Sequence, residues 1–281
     1  MNNINIFQVD SKIVQDCYNN ADNYIIEYDK TCEVKNSCTV YFSSHDIYFP
    51  NNENTFRKRI IEKNIFEWYG LRKKSYKHIF VRDVFKQWFL AGINKKINSP
   101  EKLSKFLANE CNDYNTTMIG SSAGGYAAIL FGSILNVNRV IAFNSQFEIK
   151  SLLDETSEEV NPLVFRLKNH PESKYFNIIP YINSTAKIYY FYSCQSSWDA
   201  KQNEFSANII GITRIAFKTS HHGIPFLKIA LNKIFESDDE MLISLSKRKL
   251  NPIIFTIKMV GLKKTISGLI SQIIYRYKKR R

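Results

Sequence analysis

One serine of this chain lies in a pattern that can perform nucleophilic chemistry. Residues 120–124 read Gly-Ser-Ser-Ala-Gly, which is G-x-S-x-G, with a strand-like run before it and a helix-like run, Ala127–Phe131, after it. On such a sharp turn the middle serine presents its hydroxyl outward, and the glycines leave room for the chain to reverse. The pattern predicts Ser122 as the nucleophile. The alternative, a phosphate-binding loop, is weaker because neither G-x-x-x-x-G-K-[ST] nor G-x-G-x-x-G can be drawn here.

A serine hydroxyl is a weak nucleophile and needs a base to take its proton. Three histidines follow Ser122: His170, His221 and His222. Where a serine on this kind of turn works with an acid and a histidine, the three follow one another in that order along the chain. We predict His222 as the base, because it follows the last predicted strand and the next residue, a glycine, permits a sharp loop. His221 is the alternative.

The acid is expected after the strand that precedes the last one. Asp199 is the first carboxylate after the predicted strand Lys187–Ser193, and Glu204 is the alternative. A carboxylate in this role accepts the Nδ1–H of the imidazole, fixes its tautomer and stabilises the imidazolium. Taken alone, Asp199 would be interpreted as a solvated loop residue, and only its position between serine and histidine favours the acid.

The negative charge that develops on a substrate carbonyl oxygen needs two donors. The amide of Ala123, directly after the nucleophile, is the first predicted donor. The second is expected from the loop after the strand Thr39–Ser43, and either the amide of Ser43 or that of Ser44 could supply it.

Several other side chains are candidates for substrate contact, since they follow strands at the same edge of the predicted sheet or adjoin the catalytic residues. For Arg82 and Asp83, an Arg-Asp surface pair is an equally good interpretation. The candidates are Arg82, Asp83, Tyr126, Gln146 and Trp198.

Short apolar runs that alternate with helical patterns predict an α/β fold with a doubly wound, mostly parallel sheet. Ligands bind such sheets beyond the carboxyl ends of the strands, where Ser122 lies. The polar segment 151–180 is a candidate cap over the site. The predicted strands are Tyr24–Tyr28, Thr39–Ser43, His78–Val81, Thr116–Gly120, Arg139–Phe143, Lys187–Tyr192 and Thr213–Phe217, and the predicted helices are Asn54–Trp68, Pro100–Glu110, Gly124–Leu135 and Pro225–Phe235.

Size and composition fit one large α/β domain. The chain has 281 residues, of which 44% are hydrophobic and 23% charged. Its five cysteines include no C-x-x-C pair, which argues against a disulfide framework and against a metal site, and favours a reducing compartment. We see no signal-peptide pattern and no apolar run of ~20 residues. The protein is therefore expected to be cytoplasmic.

The net charge of +13 is concentrated at the C-terminal end. Residues 241–281 contain eleven Lys/Arg and no Asp/Glu, whereas residues 1–240 carry 28 basic and 26 acidic side chains. No basic stripe runs through the body, so nucleic-acid binding is not expected. We predict a catalytic domain over residues 1–240 and a basic amphipathic tail over residues 241–281.

Apolar residues in the tail recur at helical spacing. The intervals of four and three residues place them on one stripe of a helix, which with the basic residues favours docking on an anionic membrane surface. The alternatives are a helix packed on its own domain or on a partner. The stripe consists of Phe255, Met259, Leu262, Ile266, Leu269 and Ile273, and the charges include Lys258, Lys263, Lys264, Arg276 and residues 278–281.

Residues 80–94, 119–126, 197–199 and 222–225 together resemble α/β-hydrolase-fold proteins of bacterial surface-polysaccharide gene clusters, among them capsule O-acetyltransferases. The resemblance covers most of residues 37–235, but not the first 36 residues or the tail. It implies a triad of Ser122, Asp199 and His222, acetyl-CoA as acyl donor and a glycan as acceptor. The shared Gly-Ser-Ser-x-Gly-Gly core also occurs in esterases.

Three functions follow from these observations. The first is O-acetylation of a surface polysaccharide by an enzyme at the inner face of the membrane. The second is an esterase or deacetylase that hydrolyses an acyl ester. The third is a non-catalytic scaffold in glycan assembly. We find no adenine- or diphosphate-binding signature for coenzyme A, and the sequence leaves the oligomeric state open.

Overall fold

The structure, a computed structural model, describes residues 5–183 and 185–279, with side chains described as far as Ile274. Its centre is one seven-stranded sheet. The strands are β1 Tyr24–Tyr28, β2 Ser37–Phe42, β3 Lys77–Val81, β4 Asn115–Ser121, β5 Arg139–Phe143, β6 Lys187–Ser193 and β7 Ile212–Phe217. Their order is β1-β3-β2-β4-β5-β6-β7, and only the edge strand β1 runs antiparallel to its neighbour.

Helices cover both faces of the sheet. They are α1 Phe7–Asp10, α2 Lys12–Asn20, α3 Glu53–Phe56, α4 Pro100–Cys111, α5 Ala123–Ile134, α6 Leu152–Glu155, α7 Pro162–Arg166, α8 Ser197–Phe205, α9 Leu231–Phe235, α10 Asp239–Ser246, α11 Pro252–Val260 and α12 Leu262–Lys279. A π-helical turn, Arg57–Glu62, continues α3. The chain therefore has an α/β-hydrolase-type fold, as predicted.

Successive side chains of the central strands enter two different cores. In β2, Val40 and Phe42 join the core on the α5 side, whereas Tyr41 joins the core beneath α9 and α11. Met118 and Ile119 of β4 divide in the same way. A strand buried on both faces has no polar alternation, which explains the continuous apolar runs of the sequence. All seven predicted strands form, each within two residues of the predicted ends.

The predicted helices are correct in part. The helix predicted over Asn54–Trp68 ends at Glu62, and the residues after it form a wall of the cavity described below. The segment predicted as a helix from Pro225 is helical only from Lys228. Its first residues extend from the loop that carries the two histidines.

The segment 151–180 does not cap the site. It forms short helices whose apolar residues, among them Leu152, Val164 and Phe176, pack into the core on the α5 side. Among the described residues, none from this segment lines the cavity around Ser122. The polar composition that suggested a lid instead reflects an outer surface.

The predicted boundary at residue 240 falls inside α10. Leu242 is fully buried, and Leu250 forms a parallel bridge with Phe217, so the strand edge of the sheet continues into this segment. Phe255 of α11 is buried in the core beneath it. The structure therefore places residues 241–260 in the body of the fold. Gly261, with φ +83°, separates α11 from α12.

Candidate active site

The turn between β4 and α5 holds Ser122 in a strained conformation. Its φ of 53° and ψ of −122° lie outside the regions that a serine normally adopts. A Cβ at Gly120 would lie 2.0 Å from the carbonyl oxygen of Gly124, and one at Gly124 would lie 2.4 Å from that of Phe42. No other residue fits at either position without moving backbone, so both glycines of G-x-S-x-G are required by close approach.

Ser122, His222 and Asp199 lie in hydrogen-bonded sequence. The Oγ of Ser122 is 2.9 Å from Nε2 of His222, and Nδ1 of His222 is 2.8 Å from Oδ1 of Asp199. The three residues follow the carboxyl ends of β4, β7 and β6. This chain of contacts can take a proton from the serine and stabilise the resulting imidazolium with a carboxylate.

Asp199 is fully buried, in the first turn of α8 rather than in the predicted loop. The backbone amide of Asp199 donates to Oγ of Ser196, the residue that caps the helix. The amino end of a helix favours a negative charge, so this position suits an ionised carboxylate. Glu204, the alternative acid, is exposed at the other end of the same helix. Oδ2 of Asp199 has no partner among the described residues.

A buried asparagine fixes the loop that carries His222. The side-chain amide of Asn144 donates to Oγ of Ser193 and to the carbonyl oxygens of His221 and Gly223, at 3.0, 3.2 and 2.8 Å. The amide of Ser193 donates back to Oδ1 of Asn144 at 2.8 Å, and its hydroxyl donates to the carbonyl of His221 at 2.6 Å. The two carbonyls on either side of His222 are thus held from below. The side chain of His221, the alternative base, is exposed at the rim of the cavity.

Of the three predicted oxyanion donors, the amide of Ala123 is available. It is the first residue of α5, and no hydrogen bond from it to another described residue is present. Ser43 was predicted wrongly, because its amide donates to the carbonyl of Val81 at 3.0 Å and extends the sheet. The amide of Ser44 donates to Oε2 of Glu67 at 2.6 Å.

Glu67 therefore holds the remaining candidate donor. Its second oxygen, Oε1, accepts from Oγ of Ser44 at 3.1 Å, so one carboxylate binds both polar groups of that serine. Burial raises the pKa of Glu67, and the two bonds from Ser44 and the charge of Lys228 offset part of that increase. A carboxylate at this position competes with a substrate oxyanion for the amide of Ser44.

A cavity of about 360 Å³ opens over Ser122, a volume that suits a small acyl group and part of its carrier. His45 contributes to its wall and stands edge-on to Trp88. Burial lowers the pKa of His45 to about 3, so its ring is neutral. Nε2 of His45 is buried without a partner among the described residues. The lining consists of Ser44, His45, Asp46, Glu67, Trp68, Leu71, Ser121, Ser122, His221, His222, Gly223, Ile224, Lys228 and Leu231.

Arg82 and Asp83 are buried away from the cavity over Ser122, and they do not form a surface pair. Arg82 is buried and donates to the side-chain oxygens of Asn23 and Asn64. The carboxylate of Asp83 is buried and accepts four backbone amides from residues 85–89. Burial raises the pKa of Asp83 and these four bonds lower it in part. Both residues build the loop after β3.

Tyr126 and Gln146 are also structural. Tyr126 is fully buried and its hydroxyl donates to the carbonyl of Tyr175. Gln146 is buried and accepts from Nε1 of Trp88 at 2.9 Å. Trp198 is half-buried against the core on the α5 side and does not line the cavity. A position just after a strand in the sequence therefore did not distinguish residues that line the cavity from residues that lie in the core.

Sequence reasoning missed Glu67, His45 and Asn144. His45 lies in the loop that was expected to supply the second oxyanion donor, and could have been singled out by its position. Glu67 lies in a connection between elements, where no spacing relates it to Ser44. Asn144 follows a strand as the named candidates do, but its role depends on carbonyls far along the chain.

No family model and no curated protein matches this chain. Among solved structures it is similar to the capsule O-acetyltransferase of Neisseria meningitidis serogroup A, with 15% identity, a TM-score of 0.47, and coverage of 69% of this chain and 82% of that one. A mutant of that acetyltransferase in complex with CoA gives a TM-score of 0.45 at 15% identity and the same coverage. Esterase B of Lactobacillus rhamnosis gives a TM-score of 0.40 at 12% identity, covering 69% of this chain and 74% of that one. These are proteins of the kinds that the sequence resembles, at identities too low to carry an activity.

Proposed function

We propose that this protein is a serine-dependent acyltransferase that forms an acyl ester on Ser122 and passes the acyl group to a hydroxyl of a bacterial surface polysaccharide. The observation that carries the proposal is the continuous path from Ser122 through His222 to the buried Asp199, at 2.9 and 2.8 Å. A serine in a strained turn beside an exposed cavity has little structural purpose without such chemistry.

In the first half of the reaction Oγ of Ser122 attacks the acyl carbonyl while Nε2 of His222 takes the hydroxyl proton. The carbonyl oxygen becomes an oxyanion, which the amide of Ala123 stabilises. Collapse of this intermediate breaks the bond to the carrier, and His222 returns the proton to the leaving sulfur or oxygen. The acyl group then remains on Ser122.

In the second half the acceptor hydroxyl enters from the cavity and His222 removes its proton. The deprotonated oxygen attacks the acyl carbonyl, and the new oxyanion forms at the same place. Its collapse breaks the bond to Oγ of Ser122, which takes the proton back from His222, and the acyl group leaves as an ester of the acceptor. Asn144 keeps His222 in place for both proton transfers, because it holds the carbonyls on either side of that histidine.

Acetyl-CoA as donor and a polysaccharide as acceptor are proposed from the sequence resemblance. The cavity admits only the acyl end of such a donor, since about 360 Å³ is far less than the whole molecule needs. Lys228 and His221 line the cavity and would lie next to a phosphate-bearing carrier.

Hydrolysis is the second candidate. The ring of His222 is 40% exposed, so water can reach the position of the acceptor. An esterase or deacetylase would use the same first half-reaction with water in the second.

The test incubates the purified chain with acetyl-CoA, with and without polysaccharide. Free thiol is followed by a colorimetric thiol reagent, and acetylated protein and glycan by mass spectrometry. We expect acetyl on Ser122 without acceptor and acetylated glycan with it. Ser121→Ala is the matched control for Ser122→Ala, since Ser121 also lines the cavity. Thiol release that does not depend on glycan and leaves the glycan unmodified would favour hydrolysis. Thiol release that persists in Ser122→Ala, or no thiol release and no acetyl on Ser122 in the wild type, would overturn the proposal.

A further inference from the structure

Helix α12 carries an exposed aliphatic face. Four of its five side chains recur every four residues, and the fifth lies three residues after one of them, so they lie along one side of the helix. Each is between 49% and 65% exposed. They are Leu262, Ile266, Ile270, Ile273 and Ile274. This face differs from the stripe expected from the sequence, because Phe255 and Met259 pack onto the body through α11.

The opposite side of α12 is packed, so the exposed face is not a consequence of a detached helix. A Cβ at Gly268 would lie 3.0 Å from Cγ2 of Ile229, so the backbone of α12 lies directly against the Ile229 side chain. Thr265 and Gly268 are buried, and Leu269 is half-buried. Docking on the segment Lys228–Ala230 therefore fixes which side of α12 faces outward.

The charge around this face has one sign. Residues 241–281 contain eleven Lys/Arg and no Asp/Glu. Lys258, Lys263 and Lys264 are exposed, and the last two lie on the first turn of α12 beside Leu262. The side chains of Arg276 and of residues 278–281, which the sequence also assigns to the basic tail, lie outside the described residues. Aliphatic side chains flanked by lysines match the interfacial region of an anionic bilayer, where each basic residue adds attraction and each buried methylene adds affinity.

We propose that the aliphatic face of α12 inserts into the surface of an anionic membrane. A second copy of the chain is a poorer occupant, because a basic surface would meet itself in a symmetric dimer. Because the opposite side of α12 is packed on the body, the helix would lie along the membrane surface. No described helix is both long and apolar enough to span a bilayer.

Docking in this way brings the active site to the membrane. A groove of about 200 Å³ lies between α12 and the histidine loop, and Leu269, Ile273, His221 and Ile224 contribute to its walls. His221 and Ile224 also line the cavity over Ser122. The groove beside the inserted helix and the cavity over Ser122 therefore share two wall residues. This second step rests on the proposed function, and it identifies the favoured substrate as one carried on a membrane lipid.

The test measures binding of the full chain to sedimented vesicles of phosphatidylcholine alone and of phosphatidylcholine with phosphatidylglycerol in equal amounts. We expect strong binding only to the anionic vesicles, weakened by added salt. The double variant I266S/I270S should lose on the order of tenfold or more in affinity, because two aliphatic side chains no longer insert. The variant K263Q/K264Q should lose binding to anionic vesicles in particular.

The matched control is I61S/I210S, which removes two exposed isoleucines elsewhere on the surface and should bind as the wild type does. An equal loss of vesicle binding in I266S/I270S and I61S/I210S, or no vesicle binding by the wild type, would overturn the proposal. So would sedimentation velocity that finds a wild-type dimer, an I266S/I270S monomer and no binding to vesicles.

Two further measurements separate this proposal from the function. The first treats every sample with a fluorophosphonate and measures the labelling of Ser122. Labelling without vesicle binding would refute membrane docking but not the nucleophile. Vesicle binding without labelling would refute the nucleophile but not membrane docking. Hydrolysis of a vesicle-anchored p-nitrophenyl ester is compared with that of soluble p-nitrophenyl acetate. The ratio should fall in I266S/I270S and not in I61S/I210S. An unchanged ratio would mean that the docked site does not face lipid-borne substrates.

Discussion

Replacing Glu67 with glutamine tests whether Ser44 supplies the second oxyanion donor. The carboxylate of Glu67 accepts from the amide of Ser44 at 2.6 Å, so a substrate oxyanion that uses this amide must share it or displace the carboxylate. In Glu67→Gln the side-chain oxygen can still accept the same hydrogen bond, but the negative charge is gone. The variant therefore isolates electrostatic repulsion from loop geometry.

The size of the effect follows from Coulomb's law. An oxyanion bound to the amide of Ser44 would lie on the order of 4 Å from the carboxylate, and two such charges repel by about 4 kcal/mol at an effective dielectric constant of about 20. This is comparable with the contribution of one oxyanion-hole donor. The cavity is open to water, which screens the pair, so we expect an increase in kcat/KM on the order of tenfold rather than the full value.

The pH dependence of kcat/KM tests independently whether the charge of Glu67 opposes the reaction. Burial raises the pKa of Glu67, so the carboxyl takes up a proton at a higher pH than an exposed one. Above that pKa the wild type carries the opposing charge and the ratio of Glu67→Gln to wild-type kcat/KM exceeds one. As the pH falls through that pKa, the wild type loses the charge and the ratio approaches one. Every other titrating group is present in both proteins, so its effect on kcat/KM cancels in the ratio.

The assay is hydrolysis of p-nitrophenyl acetate by both proteins over a range of pH, with Glu62→Gln as control. Glu62 is exposed at the end of the π-helical turn and does not line the cavity, so its replacement should leave the rate unchanged. A ratio below one at every pH would mean that Glu67 assists the reaction. A ratio above one but independent of pH would mean that the charge is not the cause, and either outcome refutes the reasoning.

Four further predictions concern the catalytic constellation. Ser122→Ala should keep the fold and lower turnover by several orders of magnitude, measured with p-nitrophenyl acetate alongside circular dichroism. His222→Ala should abolish fluorophosphonate labelling while His221→Ala preserves most of it, and the reverse result would exchange their roles. Asp199→Asn should lower kcat by roughly 10⁴-fold, as loss of the carboxylate does in other triads, and a small effect would remove it from the mechanism. Asn144→Ala should lower kcat more than it changes KM and reduce the free energy of unfolding by about 2 to 4 kcal/mol, because the carbonyl of Gly223 loses its donor and the buried amide of Ser193 loses its acceptor. Thermal and denaturant unfolding measure the change in stability, and an unchanged kcat would make the residue purely structural.

The sequence was sufficient for the sheet and for the order of Ser122, Asp199 and His222. Strands buried on both faces consist of continuous apolar runs, which can be recognised in the sequence. The order of strands and crossovers along the chain then restricts the sheet to few topologies. Residues that follow strands must then meet at one edge. Local pattern and global topology agree here, so three residues separated by up to 100 positions could be named together.

The sequence was insufficient to assign a residue's role wherever that role depends on which atom its polar group contacts in the folded chain. Asp83 and Ser43 follow strands at the same edge as Ser122, yet both are used within the backbone network, by four amides in one case and by a carbonyl in the other. The functional edge of a parallel sheet also has to satisfy its own buried polar groups. Without coordinates, a polar residue there is as well explained by that requirement as by substrate.

The tail illustrates how a correct pattern can predict the wrong face. Spacings of four and three residues from Phe255 to Ile273 are those of one helical stripe, and they assume one continuous helix. Gly261 ends that helix with φ +83°, so the stripe is divided between two axes. The first part closes the core under α11 and the second leaves aliphatic side chains facing outward beside lysines. A truncation after residue 240 would thus remove the buried Leu242 and Phe255, uncover the core on which they pack, and should fail to fold. A truncation after Val260 would leave both residues in place and remove α12. Membrane docking has to be tested on that second boundary and by substitutions on the exposed face.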